Sequence, residues 1–346
     1  MNALLAMTCK DLENWLRQKT GKGFFHASAL YGEVLGKGNP DFGQHAAFER
    51  SKGLSEKILQ ELVLFPDAKI IETAETEGNL KFVTRLSDGF CIESVILSMD
   101  RHETLCLSTQ VGCRMGCAFC ETGKMGFIRN LLPEEIVFQL FAARFHLKRP
   151  IRNLVYMGMG EPLDNFSSVL KAIEVFSDQR GANIPLSRQT LSTVGLVPAM
   201  NDLALRNLRS LHLAVSLNAA RDSLRSKLMP VNRAYDLSAL RKAILDYPLP
   251  PRGVILLSYI VIPGVNDGGD DLEALVRFAR GLPVRINLIP CNPDSSKMWP
   301  AAEDEDVHRF GEGLYKEGLF VRKRWSRGRE LAAGCGQLGK KHQPRG

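Results

Sequence analysis

Three cysteines, Cys113, Cys117 and Cys120, fall within eight residues of one another in a C-x3-C-x2-C pattern. Three thiolates on one loop can bind three irons of a [4Fe-4S] cube and leave the fourth iron without a protein ligand. A metal with an open position usually takes part in a reaction, as zinc does when only three protein ligands hold it. The spacing therefore predicts a catalytic iron-sulfur cluster.

Two alternatives to the cluster stay open on these residues. A structural zinc site needs a fourth ligand, and the nearest candidates, His102 and Cys106, lie upstream without the paired Cys-x2-Cys spacing that such sites favour. Buried cysteines also serve as small apolar side chains, but packing alone does not predict three of eight cysteines in one short loop. We therefore favour the open cluster over zinc and over packing.

An open iron needs a small molecule to chelate it, and S-adenosylmethionine (SAM) supplies an amino and a carboxylate group for this purpose in radical enzymes. The segment Gly-Met-Gly-Glu-Pro at 158–162 allows close backbone approach and offers Glu161 to a cationic amino group. Other polar residues follow the later predicted strands, and each of them alone could simply cap a helix or form a turn. Their occurrence at successive strand ends is what indicates a binding site for SAM. The candidate SAM-binding residues are Gly160, Glu161, Ser192, Ser216, Leu217, Asn218 and Asn292.

The hydrophobic pattern predicts the elements that position these residues. Residues 1–98 predict helices followed by short strands at 69–72, 82–84 and 92–96, a small N-terminal α+β accessory domain. Residues 99–330 predict six strand-then-helix units, which fit a partial (β/α)6 barrel, and residues 331–346 form a C-terminal segment. Reacting groups in such barrels lie at the C-terminal ends of the strands, and the cysteine loop follows the first strand. The predicted barrel strands are 105–108, 153–156, 189–192, 211–215, 254–257 and 285–289.

The composition of the chain limits its class. Of its 346 residues 45% are hydrophobic and 24% charged, which is typical of a globular protein rather than a disordered one. No apolar run is long enough to span a membrane, and the eight cysteines are too sparse for a disulfide scaffold. We therefore expect a cytoplasmic protein with reduced thiols and no membrane contact. The net charge of +7 favours a polyanionic partner without establishing one.

The motifs and their order resemble the radical SAM adenosine methyltransferases of the RlmN/Cfr family over roughly residues 90–340. Members of this family methylate a ring carbon of adenosine in 23S ribosomal RNA and, in one branch, also in transfer RNA. The resemblance implies a [4Fe-4S] cluster, two SAM molecules per turnover, RNA as substrate, an external one-electron reductant such as flavodoxin or ferredoxin, and a monomer. The segments that carry the resemblance are 106–113, 158–162, 190–193, 286–293 and 334–338.

The resemblance also implies roles for three residues outside the cluster loop. Cys335, as a thiolate, accepts a methyl group from one SAM, and a 5'-deoxyadenosyl radical from a second SAM removes a hydrogen from that S-methyl group. The carbon radical adds to the adenine ring, where the electron-poor carbon 2 is the expected target. Glu93 matches the family's proton acceptor, although a glutamate on the wet face of a strand is the alternative. Cys106 then attacks the sulfur of Cys335 and releases the methylated RNA through a transient disulfide.

Some positions depart from the family pattern and leave the RNA target open. Asn218 replaces a common histidine, Cys291 replaces a common tryptophan, and the run 322–329 is more basic than usual. A divergent radical SAM paralogue that acts on carbon 8 or on another adenosine is therefore a second hypothesis. A third is a non-catalytic iron-sulfur protein that binds RNA or senses redox state, although such a protein has no use for Glu161, Ser192 and Asn292 together.

Overall fold

The computed structural model describes residues 2–49, 51, 53–292, 298–324, 331, 334 and 336–339. Helix α1 begins at a capping box in which the side chains of Thr8 and Asp11 each bond the other's backbone N–H, and it ends at Gly21 in the left-handed conformation. None of the helices in the described part of the chain combines the length and the apolar character that crossing a membrane requires. The first elements are β1 Asn2–Ala3, α1 Cys9–Thr20, α2 Phe24–Tyr31, α3 Ala46–Glu49, α4 Leu54–Glu61 and β2 Leu62–Val63.

Three antiparallel strands follow, and they confirm the strands predicted before residue 98. These are β3 Lys69–Thr76, β4 Asn79–Arg85 and β5 Cys91–Met99. Strand β5 pairs antiparallel with β6, His102–Cys106, which is the first strand of the predicted barrel. One sheet therefore runs across the predicted boundary between residues 98 and 99, and the division into domains stays a prediction.

The parallel part of the sheet confirms the predicted six-strand barrel. The elements after β6 are β7 Gln110–Gly112, α5 Glu121–Lys124, β8 Phe127–Asn130, α6 Pro133–Phe141, β9 Ile151–Tyr156, α7 Phe166–Ser177, β10 Gln189–Thr193, α8 Val197–Leu205, β11 His212–Ser216, α9 Asp222–Leu228, α10 Leu237–Asp246, β12 Ile255–Val261, α11 Gly269–Ala279, β13 Val284–Pro290, α12 Asp304–Lys316 and β14 Val321–Lys323. Within the described residues the sheet has the order β14-β13-β12-β11-β10-β9-β6-β5-β4-β3, and the strands from β6 to β14 in this order are parallel. Strand β14 is a seventh parallel strand that the sequence did not predict.

The two faces of the sheet differ in character because successive side chains of a strand point to opposite sides. On the outer face Tyr156 packs against Phe176 of α7, and buried apolar side chains pack the helices against the sheet there. On the opposite face Ser216 of β11 is in register with Ser258 of β12, and Ser258 with Asn287 of β13. We call this polar side the inner face. Cys106 and Ser192 lie on it by the same register.

Candidate active site

The loop that carries the three cysteines is closed at its base by the short ribbon of β7 and β8. The backbone N–H of Cys113 donates to the carbonyl oxygen of Gly126 over 2.8 Å. Gly112 has a φ of 73°, and a Cβ on it would lie 1.9 Å from that same carbonyl oxygen. Only glycine fits there, so the local sequence fixes where the loop starts.

All three thiols sit in surroundings that disfavour their charge in the absence of a metal. Burial raises the pKa of Cys113 to about 12, and it raises the pKa of Cys117 and of Cys120 as well. The charges of Cys113 and Cys120 raise the pKa of Cys117 further, which shows that the three groups are neighbours. Backbone N–H groups of Met115 and Gly123 bond the sulfurs of Cys113 and Cys120 and favour their thiolates. The thiols therefore lose their protons only when a metal cation binds, as metal-binding cysteines do.

The donor set fits an iron-sulfur cube better than a single metal ion. Sulfurs bound to one zinc lie about 3.8 Å apart, because each Zn–S bond is about 2.3 Å. Among the residues that the structure describes, no three His, Cys, Asp or Glu side chains are grouped closely enough to hold one ion. A cube separates its cysteine ligands more widely and needs only three of them when one iron is left open.

The turn after β9 brings its backbone against the turn after β6, where the cysteine loop begins. A Cβ on Gly158 would lie 2.7 Å from the carbonyl carbon and oxygen of Leu107, and Gly160 has a φ of 100°. The Oε1 of Gln110 accepts from the backbone N–H of Glu161 over 2.8 Å. The predicted SAM segment is thus held directly beside the cluster loop.

Glu161 is 2% exposed and lies close to the thiols. Its Oε2 accepts from the backbone N–H of Val194 over 2.9 Å, and its Oε1 accepts from that of Leu163 over 3.1 Å. Burial raises the pKa of Glu161 to about 7, and a charge on Glu161 raises the pKa of Cys113 and Cys117. Glu161 also accepts a hydrogen bond from the side chain of Thr193. An ammonium group would balance the charge of this buried carboxylate.

The other predicted SAM-binding residues lie at neighbouring strand ends. Ser192 is half-buried near the end of β10, and Ser216 is the half-buried last residue of β11. Leu217 is fully buried, and Asn218 is 2% exposed with a φ of 57°. The side chain of Asn218 is already engaged, because its Oδ1 accepts from the backbone N–H of Ile260 over 2.9 Å. A ligand bound by Asn218 would therefore share its side-chain amide with the backbone N–H of Ile260.

Arg225 is a site residue that sequence reasoning missed. It is 0% exposed and donates to the carbonyl oxygens of Val194, Ser216 and Leu217 over 2.7, 3.2 and 3.1 Å. Burial lowers the pKa of Arg225 to about 10, although the charge of Cys117 favours the guanidinium. Arg225 therefore ties the ends of β10 and β11 together beside the cluster loop. Only the long-range fold places it there, so no local signal marks it.

Asn292 and the C-terminal segment complete this end of the barrel. Asn292 is 7% exposed after β13, and its amide nitrogen would lie 2.6 Å from a Cβ on Gly334. The carbonyl oxygen of Gly336 accepts from the backbone N–H of Glu121 over 2.7 Å, next to the last cluster cysteine. The predicted methyl acceptor, Cys335, lies outside the described residues.

Glu93 and Cys106 share the inner face of the sheet. Val95 of β5 is in register with Cys106 of β6, and Glu93 stands two positions before Val95. Glu93 is 4% exposed, so the structure contradicts the alternative of a glutamate on a wet face. Lys81 of β4 approaches its Oε2 to 3.6 Å.

The comparison with known families agrees with this geometry. The sequence pattern of the Radical SAM superfamily matches residues 107–279, from the end of β6 through α11. The fold is a partial barrel of parallel strands, with a three-cysteine loop after its first strand, β6, and a buried glutamate after its second strand, β9. This combination defines a radical SAM enzyme. A solved structure described as a radical SAM methyltransferase from Sphaerobacter thermophilus is 35% identical, covers 98% of this chain and 99% of its own, and superposes with a TM-score of 0.90.

Curated relatives give the family within that class. The chain is 39% identical over 337 residues to the probable dual-specificity RNA methyltransferase RlmN 1 of Protochlamydia amoebophila, which covers 97% of this chain and 94% of the relative. It is 38% identical over 334 residues to the dual-specificity RNA methyltransferase RlmN of Syntrophobacter fumaroxidans, covering 96% of each. The chain therefore belongs to the RlmN family.

Proposed function

We propose that this protein methylates a ring carbon of adenosine in RNA, with carbon 2 as the target and Cys335 as the intermediate methyl carrier. One observation carries the proposal in a chain of the RlmN family. Cys106 ends the strand that leads into the cluster loop, and it lies on the same face as the buried carboxylate of Glu93. The carboxylate is suited to remove the proton from the ring carbon, and the thiol is suited to release the product by forming a disulfide. These are the two steps that follow bond formation to the ring carbon.

The residues of the chain fit the cofactors that this reaction needs. Cys113, Cys117 and Cys120 would hold a [4Fe-4S] cluster, which with bound SAM supplies a carbon-centred radical when an external reductant provides one electron. Glu161 would accept from the amino group of SAM. The candidates for the rest of the molecule are Gly160, Ser192, Ser216, Leu217, Asn218 and Asn292.

Three side chains would carry the chemistry of the protein itself. The thiolate of Cys335 attacks the methyl carbon of one SAM, and the sulfonium releases its sulfur as the leaving group. Once that carbon is joined to the ring, Glu93 takes the proton from the ring carbon and the electron pair of the broken C–H bond stays in the ring. The one unpaired electron left by the radical addition must also leave, and the oxidised [4Fe-4S] cluster would be its acceptor. The thiolate of Cys106 then attacks the sulfur of Cys335, so an S–S bond forms as the S–C bond breaks. The electron pair of the S–C bond stays on the product carbon, which takes up a proton and becomes the methyl group.

The substrate and its surroundings form part of the same proposal. The net charge of +7 favours binding of a polyanion, and the family supports 23S ribosomal RNA together with transfer RNA. Flavodoxin or ferredoxin would supply the electron to a cytoplasmic monomer.

Nucleoside analysis tests the proposal directly. Anaerobically reconstituted protein, given SAM, a reductant and RNA that lacks the modification, should produce 2-methyladenosine, and RNA from cells deleted for the protein should lose it. Cys106→Ala should retain S-methylation at Cys335 but accumulate RNA bound covalently to the protein, whereas the buried Cys9→Ala should behave as the wild type. A different methyladenosine isomer would reassign the carbon. Absence of any methylated nucleoside would reject the proposal.

A further inference from the structure

Lys81 and Glu93 form a buried ion pair on the inner face of the sheet. The Nζ of Lys81 lies 3.6 Å from Oε2 of Glu93, and the two side chains are 11% and 6% exposed. Lys81 stands opposite Val95 in the β4–β5 pair, and Val95 stands opposite Cys106 in the β5–β6 pair. The ammonium, the carboxylate and the thiol therefore share one face across three neighbouring strands.

The pair is not arranged to gain the most stability. Charges taken out of water repay their desolvation only when the geometry is good and their remaining atoms are hydrogen-bonded. At 3.6 Å the two groups are beyond hydrogen-bond distance, and Oε2 of Glu93 has no hydrogen-bond partner among the described residues. A buried oxygen with an open lone pair is suited to receive a proton from a bound substrate.

The backbone of Glu93 is fixed from the side of the cluster loop. Its carbonyl oxygen accepts from the hydroxyl of Ser108 over 2.6 Å, and its N–H contacts the sulfur of Met159 at 3.4 Å. The Ser108 hydroxyl in turn accepts from the backbone N–H of Met159 over 2.9 Å. Lys81 is the charged side chain that then acts on the carboxylate end of a residue whose main chain is already held.

We propose that Lys81 is a positioning residue that holds the carboxylate of Glu93 directed at the inner face, where Glu93 takes the proton from the ring carbon that the methylene group joins to Cys335. This inference rests on the proposed function. In the step itself the C–H bond of the ring carbon breaks, the proton moves to Oε2 of Glu93, and the electron pair stays in the ring. The unpaired electron left by the radical addition would pass to the oxidised cluster. The ammonium holds the carboxylate in place by attraction over 3.6 Å, so the loss of its charge lets the carboxylate move and slows this step and none before it.

Three variants of the full-length, cluster-loaded protein test the role of Lys81. Lys81→Met keeps the length of the side chain without its charge, Lys81→Arg restores a charge, and Lys69→Met removes an exposed lysine from strand β3. Iron content, S-methylation of Cys335 by mass spectrometry, and RNA bound covalently to protein on a denaturing gel are measured beside methyladenosine formation. These measurements separate proton transfer from the earlier steps.

Lys81→Met should keep its iron and its S-methyl group, accumulate the covalent RNA adduct, and form methyladenosine at least about tenfold more slowly. Lys81→Arg should recover most of the rate and lose the adduct, and Lys69→Met should match the wild type. The inference is wrong if Lys81→Met turns over normally, or if it loses iron and S-methylation together with activity. A wild-type protein that forms neither adduct nor methyladenosine would instead reject the proposed function, and this inference with it.

Discussion

Val194 donates its backbone N–H to Oε2 of Glu161 over 2.9 Å and so joins the turn after β10 to the turn after β9. The carboxylate that it bonds is buried, and burial raises the pKa of Glu161 from 4.5 to about 7. Between these two values the folded state binds more protons than the unfolded state. The free energy of unfolding contributed by this group therefore falls as the pH rises through that window.

Glu161→Gln should remove this pH dependence. Without SAM, the variant should be more stable than the wild type at pH 8 by about 1 to 3 kcal/mol, because no buried charge is left. It should also bind SAM at least about tenfold more weakly, since a neutral amide cannot balance the amino group. Urea unfolding at pH 5 and pH 8, with titration of SAM, measures both effects. The exposed Glu174→Gln is the control, and a variant less stable than wild type at pH 8 would contradict the argument.

Gly158→Ala should damage the contact between the turns after β6 and β9. The added Cβ would lie 2.7 Å from the backbone of Leu107, which cannot move aside as a flexible side chain does. We expect a loss of about 2 kcal/mol in the free energy of unfolding, together with loss of SAM binding. Gly269→Ala is the matched control, because a Cβ at this position in α11 meets nothing within 4 Å. A tolerated Gly158→Ala with full SAM binding would show that the two turns separate freely.

Arg225→Gln should loosen the strand ends that carry the SAM candidates. The substitution leaves the carbonyl oxygens of Val194 and Ser216 without the donor that they share. We expect about 3 kcal/mol less stability and weaker SAM binding, because buried acceptors lose charged hydrogen bonds. Chemical denaturation and SAM titration measure the two losses. The exposed Arg277→Gln should change neither, and equal behaviour of both variants would refute the role of Arg225.

Cys120→Ala should abolish the cluster. Two cysteines on the loop cannot hold a cube that already leaves one iron without a protein ligand. Iron and sulfide content and the visible absorption of the anaerobic protein should fall to background. Cys9→Ala, a buried cysteine in α1, should keep the full iron content. If the purified wild-type protein contains zinc in place of iron and sulfide, the three cysteines do not hold an iron-sulfur cluster and the prediction is wrong.

The sequence predicts the barrel well because its signals are local. Each predicted strand is a short apolar run followed by a helical pattern, and parallel strands place their C-terminal ends at one edge. The cluster loop and the turn at Gly158 are likewise contiguous in sequence. The six barrel strands, observed within a few residues of the predicted bounds, follow from these patterns.

Residues joined only by tertiary structure are the ones that sequence reasoning missed. Lys81 reaches Glu93 because of the register of β4 and β5, and Arg225 reaches β10 and β11 from α9. Asn218 was expected to offer its amide to a ligand, yet that amide also bonds Ile260. None of these contacts has a spacing in the sequence that marks it.

The continuous sheet from β3 to β14 has a consequence for the last two steps of the proposed reaction. Glu93 and Cys106 are linked through the ladder of β5 and β6, so their separation is set when the chain folds. Within the described residues, no movement between β5 and β6 is needed to bring Glu93 to Cys106. The RNA substrate therefore binds to side chains whose positions are already fixed. The choice among RNAs then depends on which adenosines can flip out of the base stack and reach these side chains.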